Sequence, residues 1–326
     1  MLIRNNLSLL YIFIIISQLW PFTCSAENNT EYAPTSVEME VRKLSEHVYY
    51  VEGKAGIATD NEGFISNAGF VVTGEGVVVF DALGTPSLAS KLMQKIAEIT
   101  DEPIKKVIIS HFHADHIYGL QVFEDAGAEV IAPFGAQQYI HSEAARERLE
   151  ERQLSLDPWV NENTRLVLPD ITIEKSTRFT MGELSFTINF MGKAHSDGDL
   201  TMLVEPDRVL FSGDIIFQER IPFVGNADSR KWLETLTRLE TEGLHALVPG
   251  HGPASMDPEN TISLTRHYLA YLREIMAAGL EEFTPFDEVY DNADWSEFKD
   301  LPAFNEGNRI NAYQVYLSME AELLEE

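Results

Sequence analysis

The stretch Ser110-His111-Phe112-His113-Ala114-Asp115-His116 directly follows an apolar run, Lys106–Ile109, that predicts a buried strand. Three imidazoles and one carboxylate lie within six residues, and they cannot share one face of a regular helix or strand. On a tight loop, however, alternate side chains can converge on one point. The first two histidines would then point to one metal ion, while Asp115 and His116 turn to a neighbouring ion. Imidazole and carboxylate ligands favour Zn²⁺, with Fe and Mn as alternatives.

Three further candidate ligands lie far along the chain: His195, Asp214 and His251. Each follows an apolar strand and one or more small residues. Asp214 comes after the run Val209–Phe211, and His251 comes after Leu247-Val248. Loops at the carboxyl ends of strands are where α/β folds present functional side chains. The sequence therefore predicts one metal-binding edge that is built from distant segments.

The order of strand and helix patterns predicts an α/β fold. Val77–Phe80 is a continuous apolar strand, and Pro86–Ile99 carries apolar residues at helical spacing. The charged section Ala136–Trp159 predicts a surface helix, with a lid over the site as the alternative. We expect one main domain over residues 27–280 and an acidic C-terminal extension over residues 281–326.

The composition excludes several classes of protein. The chain has 326 residues, of which 44% are hydrophobic, so a packed core is expected and a disordered or fibrous chain is not. It carries 52 acidic and 24 basic side chains, a formal net charge of −28 at pH 7. Nucleic-acid binding depends on Lys and Arg side chains that neutralise phosphates. We therefore expect no nucleic-acid partner.

Residues 1–26 predict a secretory signal peptide. Arg4 precedes the apolar stretch Leu7–Leu19, and Cys24-Ser25-Ala26 supplies small residues for cleavage before Glu27. The apolar stretch is shorter than the ~20 residues that span a bilayer, so we expect no stable membrane anchor after cleavage. Cleavage would also remove the only cysteine and with it any thiolate ligand. The protein is expected to be periplasmic or secreted.

The ordered set His-x-His-x-Asp-His, a distant His, Ser-Gly-Asp and Pro-Gly-His-Gly resembles the metallo-β-lactamase superfamily, from about Val48 to Leu280. The resemblance implies an αβ/βα four-layer sandwich with a two-metal site at one edge. It implies that Asp214 bridges the two metals and that Asp81 supports the ligands from behind. By the same resemblance, the first metal would be bound by His111, His113 and His195, and the second by Asp115, His116 and His251.

Details of these motifs resemble different branches of the superfamily. The branch known for carbapenem resistance has Cys where this chain has Asp214, and commonly a carboxylate-binding Lys where it has Phe217. Residues 224–232 nevertheless resemble that branch, which makes Asn226 a candidate contact for the substrate oxyanion. The Asp214 pattern is similar to glyoxalase II and other thioester hydrolases. The chain as a whole most resembles exported metallohydrolases of sulfur-oxidation and quinoprotein gene sets.

Together these features predict an exported dinuclear zinc hydrolase with a small-molecule substrate. A metal-bound hydroxide would attack an amide, lactone or thioester carbonyl, with Asp115 orienting the water and shuttling a proton. One alternative is β-lactam hydrolysis, and another is iron-dependent oxidation of sulfur or persulfide. A non-catalytic protein on the same fold is disfavoured by the complete ligand set. Lys193 and Arg220 flank the ligand loops and either attract an anionic substrate or are ordinary surface charges.

Overall fold

A computed structural model describes residues 32–225 and 227–325. The predicted signal peptide and Asn226 lie outside the described residues. The strands are β1 (Val41–Lys43), β2 (Val48–Val51), β3 (Ala68–Val72), β4 (Val77–Phe80), β5 (Ile104–Ile108), β6 (Glu129–Pro133), β7 (Ile171–Ile173), β8 (Thr177–Met181), β9 (Leu184–Gly192), β10 (Asp199–Glu205), β11 (Val209–Phe217) and β12 (Ala246–His251). The helices are α1 (Pro86–Ala97), α2 (Ala114–Ile117), α3 (Leu120–Asp125), α4 (Ala136–Ile140), α5 (Glu143–Ser155), α6 (Ser229–Arg238), α7 (Pro258–Thr261), α8 (Ser263–Glu281), α9 (Phe286–Asn292) and α10 (Phe304–Glu325).

The strands form two sheets. The first has seven strands in the order β1-β2-β3-β4-β5-β6-β7, antiparallel from β1 to β4 and parallel from β4 to β7. The second has five strands in the order β12-β11-β10-β9-β8, in which only β11 and β12 are parallel. The parallel pairs bring the carboxyl ends of several strands to the same edge.

Strand β4 shows how the first sheet is buried on both faces. Val77 and Val79 belong to the core that also contains Leu88 and Leu92 of α1. Val78 and Phe80 belong to the core between the sheets, where Phe80 stacks on Phe211 with ring centroids 5.4 Å apart. A strand that is covered on both faces needs a continuous apolar run, which explains why this segment does not alternate with polar residues.

A second helical layer covers the outer face of the second sheet. Trp232 of α6 and Leu269 of α8 share this core with Leu210 of β11. Phe298 and Val315 are buried in the same core, so part of the segment 281–326 packs here. The order is thus helices, sheet, sheet, helices. This confirms the predicted αβ/βα four-layer sandwich.

Two element boundaries differ from the sequence interpretation. The predicted helix over residues 136–159 is broken into α4 and α5 at Ser142, whose hydroxyl accepts a hydrogen bond from Ala145 N and so starts a new helix. Strand β11 continues to Phe217, so the prediction that Asp214 follows a strand ending at Phe211 is wrong. The strand continues because it still pairs with β12 beyond Phe211, at Gly213 and at Phe217, with register shifts on either side of Gly213 at φ +52°.

Over residues 32–225 and 227–325, the structure contains no helix that is both long and apolar enough to cross a membrane.

Candidate metal centre

The structure brings all seven predicted ligands together. They come from the loop after β5, from α2, from the turn between β9 and β10, from within β11 and from the end of β12. The coordinating atoms form two groups, and within each group they lie within 4.8 Å of one another. The first group is His111, His113, His195 and Asp214, and the second is Asp115, His116 and His251.

The Asp214 carboxylate lies between the two groups. Its Oδ2 atom is 3.8 Å from His111 Nε2 and 3.3 Å from His195 Nε2. Toward the second group, its Oδ1 is 3.1 Å from His116 Nε2 and its Oδ2 is 3.3 Å from His251 Nε2. One carboxylate is therefore within reach of histidines from both groups, as a bridging position requires.

The donor atoms fit a divalent cation. The buried Nε2 atoms of His111 and His116 and the Oδ1 atom of Asp214 have no hydrogen-bond partner among the described residues. A buried polar atom without a partner costs about 1–3 kcal/mol. Imidazole nitrogens and carboxylate oxygens are ligands for Zn²⁺ and for Fe or Mn. Metal binding at the two groups would satisfy these atoms, so the cluster is a His/Asp metal site.

The electrostatics of the cluster set the protonation state of each candidate ligand. Burial lowers the pKa of His111 well below its ordinary value and that of His195 to about 3, so both rings are neutral. Burial opposes the ionisation of Asp214, but His251, His116 and His111 hold its pKa well below the usual range. Burial likewise opposes a charge on His116, and the surrounding carboxylates, Asp214 foremost, raise its pKa well above the ordinary value. Without metal, the protein holds a proton on His116 that a cation would displace.

Outer hydrogen bonds orient the rings. His116 Nδ1 donates to Asp81 Oδ2 at 2.9 Å, and the same oxygen accepts from the Ser110 hydroxyl at 2.9 Å. His111 Nδ1 lies 2.9 Å from the Ser110 hydroxyl oxygen, and His251 Nδ1 donates to Ile65 O at 2.7 Å. In each case the bond leaves Nε2 free to face the cluster. Asp81 thus contacts His116 directly and His111 through the Ser110 hydroxyl.

Two glycines allow the segments that carry the candidate ligands to pack closely against one another. Gly213, in the left-handed region at φ +52°, packs so tightly that an added Cβ would lie 2.3 Å from Ser110 Cβ. A Cβ on Gly250 would lie 2.0 Å from Asp214 Oδ1. Any larger residue at either position would push apart the segments that carry the ligands. The Ser-Gly-Asp and Pro-Gly-His motifs therefore have a steric reason for their glycines.

The turn that carries His195 is closed by Asp199. Its carboxylate accepts hydrogen bonds from Ala194 N at 3.2 Å, Ser196 N at 3.0 Å and the Ser196 hydroxyl at 2.9 Å. Burial, with a contribution from the nearby Asp214 charge, raises the pKa of Asp199 to about 7. None of these hydrogen bonds involves the side chain of a candidate ligand, yet they set the shape of the turn.

The structure separates the two basic residues that the sequence left undecided. Lys193 is exposed and forms an ion pair with Asp197 at 3.1 Å. Arg220 is only 8% exposed, so surface charge is the wrong interpretation for it. Its Nη1 lies 3.3 Å from His251 Nδ1, and no carboxylate of the described residues forms an ion pair with it. Burial lowers the pKa of Arg220, against the attraction of Asp115 and Asp214.

Sequence reasoning missed Phe223, whose ring lies beside the site. The ring is 42% exposed, and its centroid is 6.0 Å from that of His113 in an edge-on arrangement. The signal in the sequence was weak, because an apolar residue in Ile-Pro-Phe-Val is ordinarily read as core. Phe217, by contrast, is fully buried and stacks on His251 with centroids 4.9 Å apart.

Comparison with known proteins finds one matching family model, together with similar curated proteins and similar solved structures. The metallo-beta-lactamase superfamily model matches residues 61–251, more than half of the chain. A linear primary-alkylsulfatase from a Pseudomonas species is 23% identical over 236 residues, which are 61% of this chain and 44% of that protein. A metallo-beta-lactamase type 2 from Bacillus cereus is 21% identical over 262 residues, which are 76% of this chain and 93% of that protein. The chain thus spans less than half the length of the alkylsulfatase.

Solved structures show the same fold. A metallo-beta-lactamase from Pontibacter korlensis superposes with a TM-score of 0.57 at 22% identity, over 72% of this chain and 99% of that one. A stereoselective inverting sec-alkylsulfatase from a Pseudomonas species superposes with a TM-score of 0.66 at 18% identity, over 85% of this chain and 50% of that one. With the family match and the fold in agreement, this chain belongs to the metallo-beta-lactamase superfamily of metal-dependent hydrolases.

Proposed function

We propose that the protein is an exported hydrolase that binds two zinc ions and cleaves an amide, lactone or thioester in a small molecule. The observation that carries the proposal is the position of the Asp214 carboxylate. Its oxygens lie 3.1–3.8 Å from ring nitrogens of histidines in both ligand groups. A shared carboxylate adds negative charge between two cations and so offsets their mutual repulsion.

The proposed ligand assignment follows the two groups. His111, His113 and His195 would hold the first ion, Asp115, His116 and His251 would hold the second, and Asp214 would be shared between them. Two zinc ions held in this way would lower the pKa of a bound water and polarise the bond to be cleaved. The Asp81 carboxylate accepts a hydrogen bond from His116 Nδ1 and so orients the ring with Nε2 toward the cluster.

Asp115 is the residue we assign to proton transfer. It is 22% exposed, more than the nearly buried carboxylate of Asp214, so it is the cluster carboxylate that solvent and substrate can reach. Burial opposes its ionisation, but His116 and His251 hold its pKa well below the usual range. An ionised Asp115 can orient a water molecule, and because its low pKa makes it a weak base, it would pass the proton on rather than hold it. Asn226, outside the described residues, remains the predicted contact for the oxyanion.

Elemental analysis of protein purified without affinity-tag metals tests the proposal. We expect about two zinc ions per chain, as in other two-metal sites. His116→Ala and His251→Ala should each lower this to about one and remove most turnover while the chain stays folded. His267→Ala is the matched control, because this exposed histidine pairs with Glu297 outside the cluster. Unchanged zinc content in His116→Ala would contradict the assignment of two metal ions.

The relatives suggest which substrates to screen. Some are named metallo-beta-lactamases and others alkylsulfatases. Cleavage of a sulfate ester is the second candidate function, because the buried Arg220 guanidinium lies beside His251 without an ion-pair partner among the described residues. A guanidinium binds the oxygens of an anionic ester well. The screen therefore includes β-lactams, lactones, thioesters and alkyl sulfates.

Iron would lead to a different activity. One iron per chain in place of zinc would overturn the hydrolytic proposal and favour oxidation of sulfur or persulfide. The association with sulfur-oxidation and quinoprotein gene sets, and export to the periplasm or medium, likewise stay predictions. Mass spectrometry of the protein from its native host, with Glu27 as the first residue, would support export.

A further inference from the structure

Phe223 is partly exposed, although the apolar residues on either side of it in the loop are buried. Ile221 and Val224 are 2% and 1% exposed, whereas the phenyl ring between them is open to solvent. Gly225 folds back against the ring, so that an added Cβ there would lie 2.7 Å from Phe223 Cε1. Ordering a surface side chain costs conformational entropy, and a partly exposed ring gains less from burial of its apolar area. A fixed, partly exposed aromatic ring is therefore unusual for a surface side chain.

The backbone on either side of Phe223 is held by one buried side chain. Asn311 of α10 accepts a hydrogen bond from Val224 N at 2.9 Å through Oδ1 and donates to Pro222 O at 2.7 Å through Nδ2. A third bond joins Asn311 Nδ2 to the Tyr268 hydroxyl at 3.0 Å. The side chain is fully buried. The two residues that flank Phe223 are therefore fixed to the C-terminal helix.

The C-terminal segment around this helix also supports the start of the loop. Ile221 N donates to Pro302 O at 3.3 Å, and Gly307 lies close enough to Ile221 that an added Cβ would be 3.3 Å from Cδ1. Behind Asn311, the Tyr268 hydroxyl donates to Asn308 Oδ1 at 2.8 Å. Asn308 is also fully buried, but its hydrogen bonds within the described part of the chain go to the Tyr268 and Tyr290 hydroxyls and not to the loop. The C-terminal segment thus acts as the scaffold of the loop.

The held ring lies at the open side of the metal cluster. Its centroid is 6.0 Å from that of His113, which is half-buried, whereas His111, His116 and His195 are buried. A substrate whose cleaved bond lies at the cluster would therefore have its next group close to this ring. A phenyl face or edge favours an apolar or aromatic group at that distance.

We infer that Phe223 is a specificity-determining residue that packs against an apolar group of the substrate next to the cleaved bond, and that Asn311 is the positioning residue that holds it there. The inference rests on the proposed function, because it places the substrate at the metal cluster. It adds the substrate class: small molecules with an alkyl or aryl group beside the reacting bond. It also gives the C-terminal helix a part in recognition.

Binding of thiols to the zinc-loaded protein tests the inference without requiring turnover. Ethanethiol and 2-phenylethanethiol differ by one phenyl group, and both can bind zinc through sulfur. Calorimetry should show that the wild-type protein binds the phenyl compound at least about tenfold more tightly, since burial of an aromatic ring stabilises the complex. Phe223→Ala should reduce this ratio to near one, and Phe223→Tyr should preserve it.

The Asn311 variants test positioning. Asn311→Ala should lower the ratio several-fold although Phe223 is still present. Asn311→Asp keeps the size of the side chain and the acceptor for Val224 N, but it loses the donor to Pro222 O. We therefore expect an affinity ratio for the two thiols between those of wild type and Asn311→Ala. Asn308→Ala is the matched control, because it removes a buried side chain of the same network whose hydrogen bonds go to Tyr268 and Tyr290 rather than to the loop. Phe283→Ala removes a phenyl that is 94% exposed elsewhere. Both controls should keep the wild-type ratio.

The outcomes separate this inference from the proposed function. Zinc content is measured first, so a protein that binds no zinc contradicts the metal assignment before any thiol is added. If zinc is bound and Phe223→Ala keeps the wild-type ratio, the inference is wrong and the metal assignment stands. If Asn308→Ala and Asn311→Ala lower the ratio equally, general loss of core packing replaces the positioning role. If both Asn311 variants fail to fold, Asn311 is structural and its positioning role is rejected.

Discussion

At the scale of single residues, Asp81 shows how one carboxylate can orient ligands of both groups. Its Oδ1 accepts from Ser110 N at 2.7 Å, and its Oδ2 accepts from the Ser110 hydroxyl and from His116 Nδ1. Ser110 in turn contacts His111 Nδ1. The backbone of Asp81 adopts φ +64°, a conformation that a non-glycine residue rarely takes. The strain is retained where it places a buried carboxylate behind two candidate ligands.

Asp81→Asn should weaken metal binding by about 10- to 100-fold, because an amide group facing His116 Nδ1 disturbs the hydrogen bond that orients the ring. Competition with a chromophoric chelator measures the affinity. Asp207→Asn is the matched control, since Asp207 accepts from His47 Nδ1 at 2.8 Å and is also nearly buried. The control should keep wild-type affinity. Equal affinity in Asp81→Asn would show that the bond to His116 has no effect on the metal.

At the scale of elements, the turn between β9 and β10 contains His195 and is held by the buried carboxylate of Asp199. Three hydrogen bonds hold the turn around Asp199. Its pKa is raised to about 7, so the folded chain binds a proton that the unfolded chain, with an ordinary aspartate, releases near pH 4. Stability that this proton contributes is full below pH 4 and is lost as the pH rises toward 7.

Metal-free wild-type protein should therefore lose more unfolding free energy between pH 5 and pH 8 than Asp199→Asn does. The asparagine cannot titrate, yet its amide can accept from both backbone N–H groups and donate to the Ser196 hydroxyl. Urea unfolding of the chelator-treated proteins at the two pH values measures the difference. Histidine titrations are common to both proteins and cancel. Parallel pH dependence of the two proteins would mean that Asp199 is already ionised at pH 5.

At the scale of the whole molecule, the C-terminal segment and the sheets share one core. Phe298 is buried beside Tyr268 and Tyr271 of α8, with ring centroids 5.2 and 5.4 Å away. Arg273 of α8 pairs with Glu322 of α10 at 2.9 Å. The acidic composition of residues 281–326 therefore coexists with buried apolar side chains.

Phe298→Ala should lower the free energy of unfolding by about 3–5 kcal/mol, the usual cost of removing a buried phenyl ring. Phe283→Ala, at a position that is 94% exposed, should change it by less than about 0.5 kcal/mol. Chemical denaturation of the metal-loaded proteins measures both. If the two variants were equally stable, the segment would not contribute to the core.

The sequence alone predicted the α/β class and the seven candidate ligands, because short stretches of neighbouring residues indicate each strand, helix and ligand motif. Apolar runs such as Val77–Phe80 predict buried strands, and imidazoles clustered in residues 110–116 have no packing benefit that would explain them otherwise. The order of the four motifs carried the family resemblance, and the glycines of Ser-Gly-Asp and Pro-Gly-His belong to that order. None of these features requires knowledge of distant contacts.

Only the tertiary structure decided which side chains surround the ligands. Burial separates Arg220 from Lys193, although both are basic residues near a ligand loop, because it depends on elements that are far away in the chain. The link from Asn311 to Pro222 and Val224 spans almost ninety residues, and no local pattern announces it. Asp214 lies within a strand because pairing with β12 extends β11. Hydrogen bonds and packing between distant segments arise only when the chain folds, so these features could not be read from the order of residues.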